Sequence, residues 1–155
     1  MRSTDIPDIN QAVTPGLPRR LAAMLYDGLL IFGLLLLASM MVTLPVGILL
    51  GEAAANALPG NPWFRLWLAL VPPLFFVLFW LKGGQTLGMR SWRLRVIRDD
   101  GQPLAWRDAL KRLVGALLSW LPLGLGYLWI LVDRDRLAWH DRLSGTRLVL
   151  LKKRK

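Results

Sequence analysis

The stretch "RRLAAMLYDGLLIFGLLLLASMM", residues 19–41, constrains this chain more than any other: two arginines stand at the mouth of a long apolar run, and one aspartate lies inside it. From Leu21 to Leu44 the run reaches roughly 36 Å as a helix, enough to cross the hydrocarbon core of a bilayer with some tilt. Hydrophobic residues make up 54% of the 155 residues, and mean hydropathy is +0.41. That exceeds what a soluble domain of this size usually carries, and the apolar residues come in blocks. A membrane protein is the economical reading. A cleaved signal peptide is not expected, because its apolar region is about 7–15 residues long and Asp27 interrupts this one.

The remaining blocks follow in order. Pro45 and Gly47 predict the end of the first helix. Trp63 to Leu81 predicts a second span, with Trp63 and Trp67 at one interface and Trp80 at the other. Pro72 and Pro73 inside it predict a kink. Residues 113–132 form a third apolar block, broken at Pro122, Gly124 and Gly126. Between the second and third blocks, "SWRLRVI" alternates: Trp92, Leu94 and Val96 on one face, Arg93 and Arg95 on the other. This is a strand pattern, closed by a turn at Asp99-Asp100-Gly101. Pro103 opens a helix in which Asp108 lies one turn before Lys111 and Arg112. Near the end, "TRLVLL" predicts a second strand that pairs with residues 91–97.

The expected fold is therefore an all-α integral membrane protein. It has two transmembrane helices (about 21–44 and 63–81) and a third, broken or re-entrant apolar helix pair at 113–132. A small cytoplasmic two-stranded element completes it. Residues 1–18 read as a flexible cytoplasmic N-terminus and 152–155 as a basic tail. The formal net charge is +10, with the cations beside the apolar blocks, as expected for contact with anionic headgroups and no nucleic acid. Lys and Arg are absent from the loop at 45–62 and dense at 82–112, so the first faces outward and the second the cytoplasm. A single crossing by residues 113–132 would leave the basic tail outside, against the charge rule. A re-entrant V bent at Pro122 returns it. An ordinary kinked span is the other reading.

With no cysteine and one histidine, no metal and no cofactor is expected. No assembled catalytic set is visible, so no enzyme is expected. His140-Asp141 lacks a nucleophile partner, and "KGGQTLG" at 82–88 lacks the Lys-Ser/Thr ending of a phosphate loop and reads as a membrane-exit turn. Asp27 is the one acid inside either clear span, and an intramembrane carboxylate is costly unless paired or facing water. Arg20 lies on the same helix face about two turns away, too far for direct contact unless it reaches inward. Asp27 reads either as a proton- or cation-binding group or as a packing group paired with a base elsewhere in the chain.

Three segments in order resemble the RDD family of bacterial membrane proteins: "PRRLAAMLYDGLL", "GGQTLGMRSWRLRVIRDDG" and "LAWHDRLSGTRLVL". Carried over by position, the resemblance makes Arg20, Asp27 and Asp141 the signature residues, with Thr86, Gly88, Arg90, Gly145 and Thr146 as further marks. Met89 stands where the family usually has lysine. The resemblance implies a bacterial membrane protein, read here as a multi-pass protein of the inner membrane, and the charge pattern places both termini in the cytoplasm. The resemblance also implies a role related to transport of an unidentified ligand, such as exchange of a proton or monovalent cation. In that reading Asp27, Arg20 and Asp141 are the ion- or ligand-binding candidates. The alternative is a non-transporting accessory or scaffold protein that binds anionic lipid or a partner through its basic cytoplasmic face. Two or three helices enclose little volume, so a transporter would need a homo-oligomer or a membrane partner. Ala22, Ala23, Gly28, Gly33 and Ala38 permit close helix contact.

Overall fold

The computed structural model describes residues 13–102 and 104–151. Residues 1–12, Pro103 and the basic tail 152–155 lie outside them; the helix expected to open at Pro103 is present, and it starts at Trp106. Along the described chain run α1 (Leu17–Leu50), α2 (Glu52–Ala57), α3 (Pro62–Gly83), α4 (Leu87–Ser91), β1 (Leu94–Arg98), α5 (Trp106–Trp120), α6 (Leu125–Leu128), α7 (Trp139–Ser144) and β2 (Thr146–Leu150), with short 3-10 turns at Leu58–Gly60 and Trp129–Leu131. Two helices, α1 and α3, are long and apolar enough to cross a membrane.

Helix α1 extends past the expected 21–44 at both ends. Pro18 sits in its first turn, where a missing N–H costs nothing. Pro45 lies inside the helix rather than ending it, because apolar helices accept proline when neighbouring groups satisfy the freed carbonyls. The real stop is Gly51, at φ 88°, a left-handed conformation that only glycine adopts without strain. Helix α3 likewise continues through Pro72 and Pro73.

Residues 28–75 form one compact unit, an apolar helical hairpin. Within it the Trp67 indole Nε1 donates to the Ala38 carbonyl at 3.0 Å, and Ala38 and Phe64 are buried. Most of its large side chains, Phe32, Met41, Ile48 and Trp63 among them, are exposed. In water such a surface would be untenable, and in a bilayer it is the lipid-facing one.

The second unit joins residues 13–27 to 76–151. Its core is Ala23, Val77, Trp80, Leu94, Val96, Ala109 and Leu148. Strands β1 and β2 pair antiparallel, Leu94 opposite Leu150 and Arg98 opposite Thr146, and Leu150 also meets Val13 in an isolated bridge. The pairing follows the alternation of Leu94 and Val96, but the strand starts later than expected. Residues 87–91 form a short helix, and Arg93 turns the chain at φ 57°. Trp92 is therefore exposed rather than part of the sheet's buried face.

Helix α5 is amphipathic in the sense opposite to a soluble helix. Ala109, Arg112, Gly115 and Ser119, spaced three to four apart, are its buried stripe, whereas Leu110, Val114, Leu117 and Leu121 point outward. Asp108 closes its start by accepting the Ala105 N–H at 2.9 Å. At the other end, Leu123 (φ 54°) and Gly124 (φ 80°) break the helix. The chain from Leu125 to Leu131 leaves at 107° to α5.

Candidate functional site

The polar residues of the second unit gather in two buried places. The first is built where α1 meets the start of α4. Thr86 caps α4, its hydroxyl accepting the Met89 N–H at 3.2 Å. The same hydroxyl donates to Asp27 Oδ2 at 2.5 Å, and the Gly88 N–H donates to Asp27 Oδ1 at 2.8 Å. Both carboxylate oxygens are thus engaged, and Asp27 is only 2% exposed. Gly88 is dictated by this closeness: a Cβ there would strike the Ala23 carbonyl and lie 2.8 Å from the Asp27 carboxyl carbon. The "KGGQTLG" turn is therefore a docking element. Gly84 bonds through its carbonyl to the Val96 N–H at 2.7 Å, in a φ of 68° and with no room for a side chain. Arg90 lies exposed on α4, its backbone N–H donating to the Thr86 carbonyl.

The second place centres on Asp141 in α7, which is wholly buried. Its Oδ2 accepts the Ala138 N–H at 3.0 Å, closing the start of its own helix. The same oxygen accepts Arg20 Nη1 at 2.9 Å. On the other side Arg112 Nη1 lies 2.7 Å from Oδ1. This is an ion pair rather than an aligned hydrogen bond, since Oδ1 receives none. Arg20 is otherwise saturated, with Nη2 on the Arg136 carbonyl at 2.9 Å and Nε on the Pro15 carbonyl at 3.3 Å. Arg112 donates to Thr146 Oγ1 at 2.7 Å, and its guanidinium lies over the Trp80 ring, 5.4 Å from the centroid. Thr146 in turn shares a 2.6 Å hydrogen bond with Ser144. Gly145, at φ 61°, makes the left-handed turn from α7 into β2.

The electrostatics follow from this packing. Burial raises the Asp141 carboxyl, but Arg112 and Arg20 more than reverse that, holding it well below the ordinary carboxylate range. His140, stacked on Tyr127 with centroids 4.8 Å apart, is pushed down to about 3 by burial and by the Arg112 charge. It is a neutral imidazole at physiological pH, with Nε2 3.6 Å from Asp141 Oδ1.

The sequence candidates are thus distributed rather than pooled. Arg20 meets Asp141 and not Asp27, while Asp27 meets Thr86 and Gly88. The residue that sequence reasoning missed is Arg112. Its spacing after Asp108 suggests a surface helix pair, yet Asp108 bonds Arg98 at 3.1 Å and Arg112 turns inward. The signal available was its place in line with Ala109, Gly115 and Ser119, a stripe of small residues that leaves room for one large cation.

Comparison with known proteins agrees with this arrangement of segments. The family model described as the RDD family matches residues 14–145. The chain belongs to the RDD family. It is a membrane protein with apolar helices. This RDD chain is also 32% identical over 72 residues to an uncharacterized protein of Rickettsia prowazekii (strain Madrid E). The match covers 46% of this chain and spans 40% of that protein's length. No solved structure matches it. The three residues that carry the family resemblance, Arg20, Asp27 and Asp141, all lie in the same unit and are all buried.

Proposed function

We propose that this protein is a multi-pass, non-enzymatic component of the bacterial inner membrane that holds a basic cytoplasmic surface against anionic lipid headgroups, acting as an accessory or scaffold and not as an ion carrier. One observation carries the reading. In the unit of residues 13–27 and 76–151 the acids other than Asp27 and Asp141 are consumed by Arg98, Arg142 and Arg147: Asp100 and Asp108 bond Arg98, Asp133 and Asp135 bond Arg142, and Asp99 bonds Arg147. Arg19, Lys82, Arg90, Arg93, Arg107 and Arg134 are exposed and make no ion pair among the described residues. Cations left over beside an outward apolar face suit a surface that is half acyl chain and half phosphate.

The sheet supports the sidedness. β1 follows α3 and β2 follows the bent α5–α6 segment, and their pairing supports reading residues 94–98 and 146–150 as lying on one side of the membrane. The bridge from Leu150 to Val13 brings the start of α1 to that side as well. These regions carry Arg95, Arg98, Arg147, Arg19 and Arg20 and no acid, which favours the cytoplasm, and the 107° bend favours a segment that re-enters rather than crosses. Exchange of a proton or cation at Asp27 is the rival reading, and it is disfavoured because both oxygens of that carboxylate already hold α4.

The experiment is lipid selectivity. The protein is reconstituted in mixed phosphatidylglycerol–phosphatidylcholine vesicles with a trace of spin-labelled lipid of either kind, and the protein-bound fraction is read by electron paramagnetic resonance. The expected result is enrichment of phosphatidylglycerol that salt weakens and that falls in a Lys82→Gln, Arg90→Gln, Arg107→Gln variant, by about 1 kcal/mol per residue. Equal binding of both lipids by the unaltered protein overturns the proposal.

A further inference from the structure

The cluster around Asp141 is not charge-balanced. Two buried guanidiniums face one carboxylate, and the neutral His140 leaves that sum unchanged, so one positive charge is surplus. Arg20 is fully engaged by Asp141 and two carbonyls, which leaves the surplus on Arg112. Among the described residues its Nε–H is buried and has no acceptor, and the Trp80 indole Nε1–H, on the ring that Arg112 covers, is buried and also without one. Buried charges are normally paired, and buried donors normally find acceptors. Here both shortfalls occur at one guanidinium, and a single negatively charged acceptor would answer both.

We infer that the Arg112–Trp80 corner binds a small monovalent inorganic anion of the chloride class, held by the Arg112 and Trp80 N–H groups. The site is closed to anything larger: Arg112 is 2% exposed, Trp80 5% and Asp141 0%, so neither a phosphodiester headgroup nor an organic acid has an opening. The assignment is independent of the lipid reading, because none of these residues reaches the exposed basic surface. In such a site the anion is a resident counter-ion. It neutralises the cluster that joins α1, α5 and α7, so occupancy would couple the stability of that unit to halide concentration.

The test uses the full chain in uncharged detergent. Thermal unfolding is followed while sodium chloride or sodium bromide replaces sodium gluconate at constant ionic strength. A saturable rise in midpoint with either halide, absent in Arg112→Gln, is expected. Trp80→Phe keeps an aromatic ring under the guanidinium and removes the N–H together with the five-membered ring that carries it. It should raise the half-saturating halide concentration about tenfold, the loss of one charge-assisted hydrogen bond. Identical unfolding of the unaltered protein in chloride and gluconate overturns the inference. So does a halide response that persists in Arg112→Gln. Should Arg112→Gln not fold, an unchanged half-saturation in Trp80→Phe overturns it as well.

Discussion

Asp141→Asn isolates what the buried carboxylate contributes. The substitution preserves shape, and its amide oxygen can still accept the Ala138 N–H, so the start of α7 is retained. What disappears is the single negative charge facing two guanidiniums whose side chains are 7% and 2% exposed. Removing one partner of a buried ion pair costs about 3–5 kcal/mol, because the remaining charge stays desolvated. Here two remain. That loss would take a large share of the roughly 5–15 kcal/mol that folded domains possess. Denaturant titration of purified protein in micelles measures it. Arg112→Met supplies the control: in the double variant one stranded cation is replaced by an apolar chain of similar reach. The double variant should therefore be more stable than the sum of the single effects by about 2 kcal/mol or more. A single variant within about 1 kcal/mol of the parent, or strict additivity in the cycle, would refute the argument that this cluster is held by charge.

Three further outcomes follow from the same geometry. Asp27→Asn and Thr86→Val should each cost about 1.5–3 kcal/mol, the value of a hydrogen bond to a charged group, and should be strongly non-additive in the same denaturant assay, since both remove one interaction. Gly88→Ala should fail to accumulate in membranes or lose more than about 2 kcal/mol, as its Cβ has no space between Ala23 and Asp27; normal accumulation and stability would contradict the packing. His140, whose folded value of about 3 lies below its ordinary 6.5, makes the unfolded state bind the extra proton between those values. Stability should therefore decline as pH falls below 6.5, with a slope approaching about 1.4 kcal/mol per unit, and His140→Gln should flatten it. Asp141 adds to that slope only at the acid end of the range, since its stabilisation is lost as pH drops below the ordinary carboxylate value of 3.8.

Much of the fold was legible because apolar blocks and period-two alternation are local signals. The runs around Leu21–Leu44 and Trp63–Leu81 lie inside the observed α1 and α3, and Leu94 and Val96 give β1 its buried side. Boundaries were less legible. Pro45 is a helix breaker in water yet is carried inside α1, and the stop signal was Gly51. The site was harder still, since its partners are remote: Arg20 and Asp141 are separated by 121 positions, and no spacing rule joins them. Asp27 stood out as an acid among leucines, which marked its cost but not its partners. Arg112 was hidden by a plausible local pairing with Asp108. Only the inverted polarity of α5, apolar outside and small inside, distinguishes it from a surface cation.

The central claim is that Asp27 holds a helix in place and moves no ion, so that the protein acts through its surface. Proton and cation flux in sealed vesicles tests this most directly. Purified protein is reconstituted with a trapped pH indicator, and a sodium or potassium gradient is imposed from outside. The account predicts that internal pH responds no faster than in protein-free vesicles, and that Asp27→Asn leaves the trace unchanged. Gradient-driven pH change that requires the protein and disappears in folded Asp27→Asn would contradict it and make that carboxylate the ion-binding group.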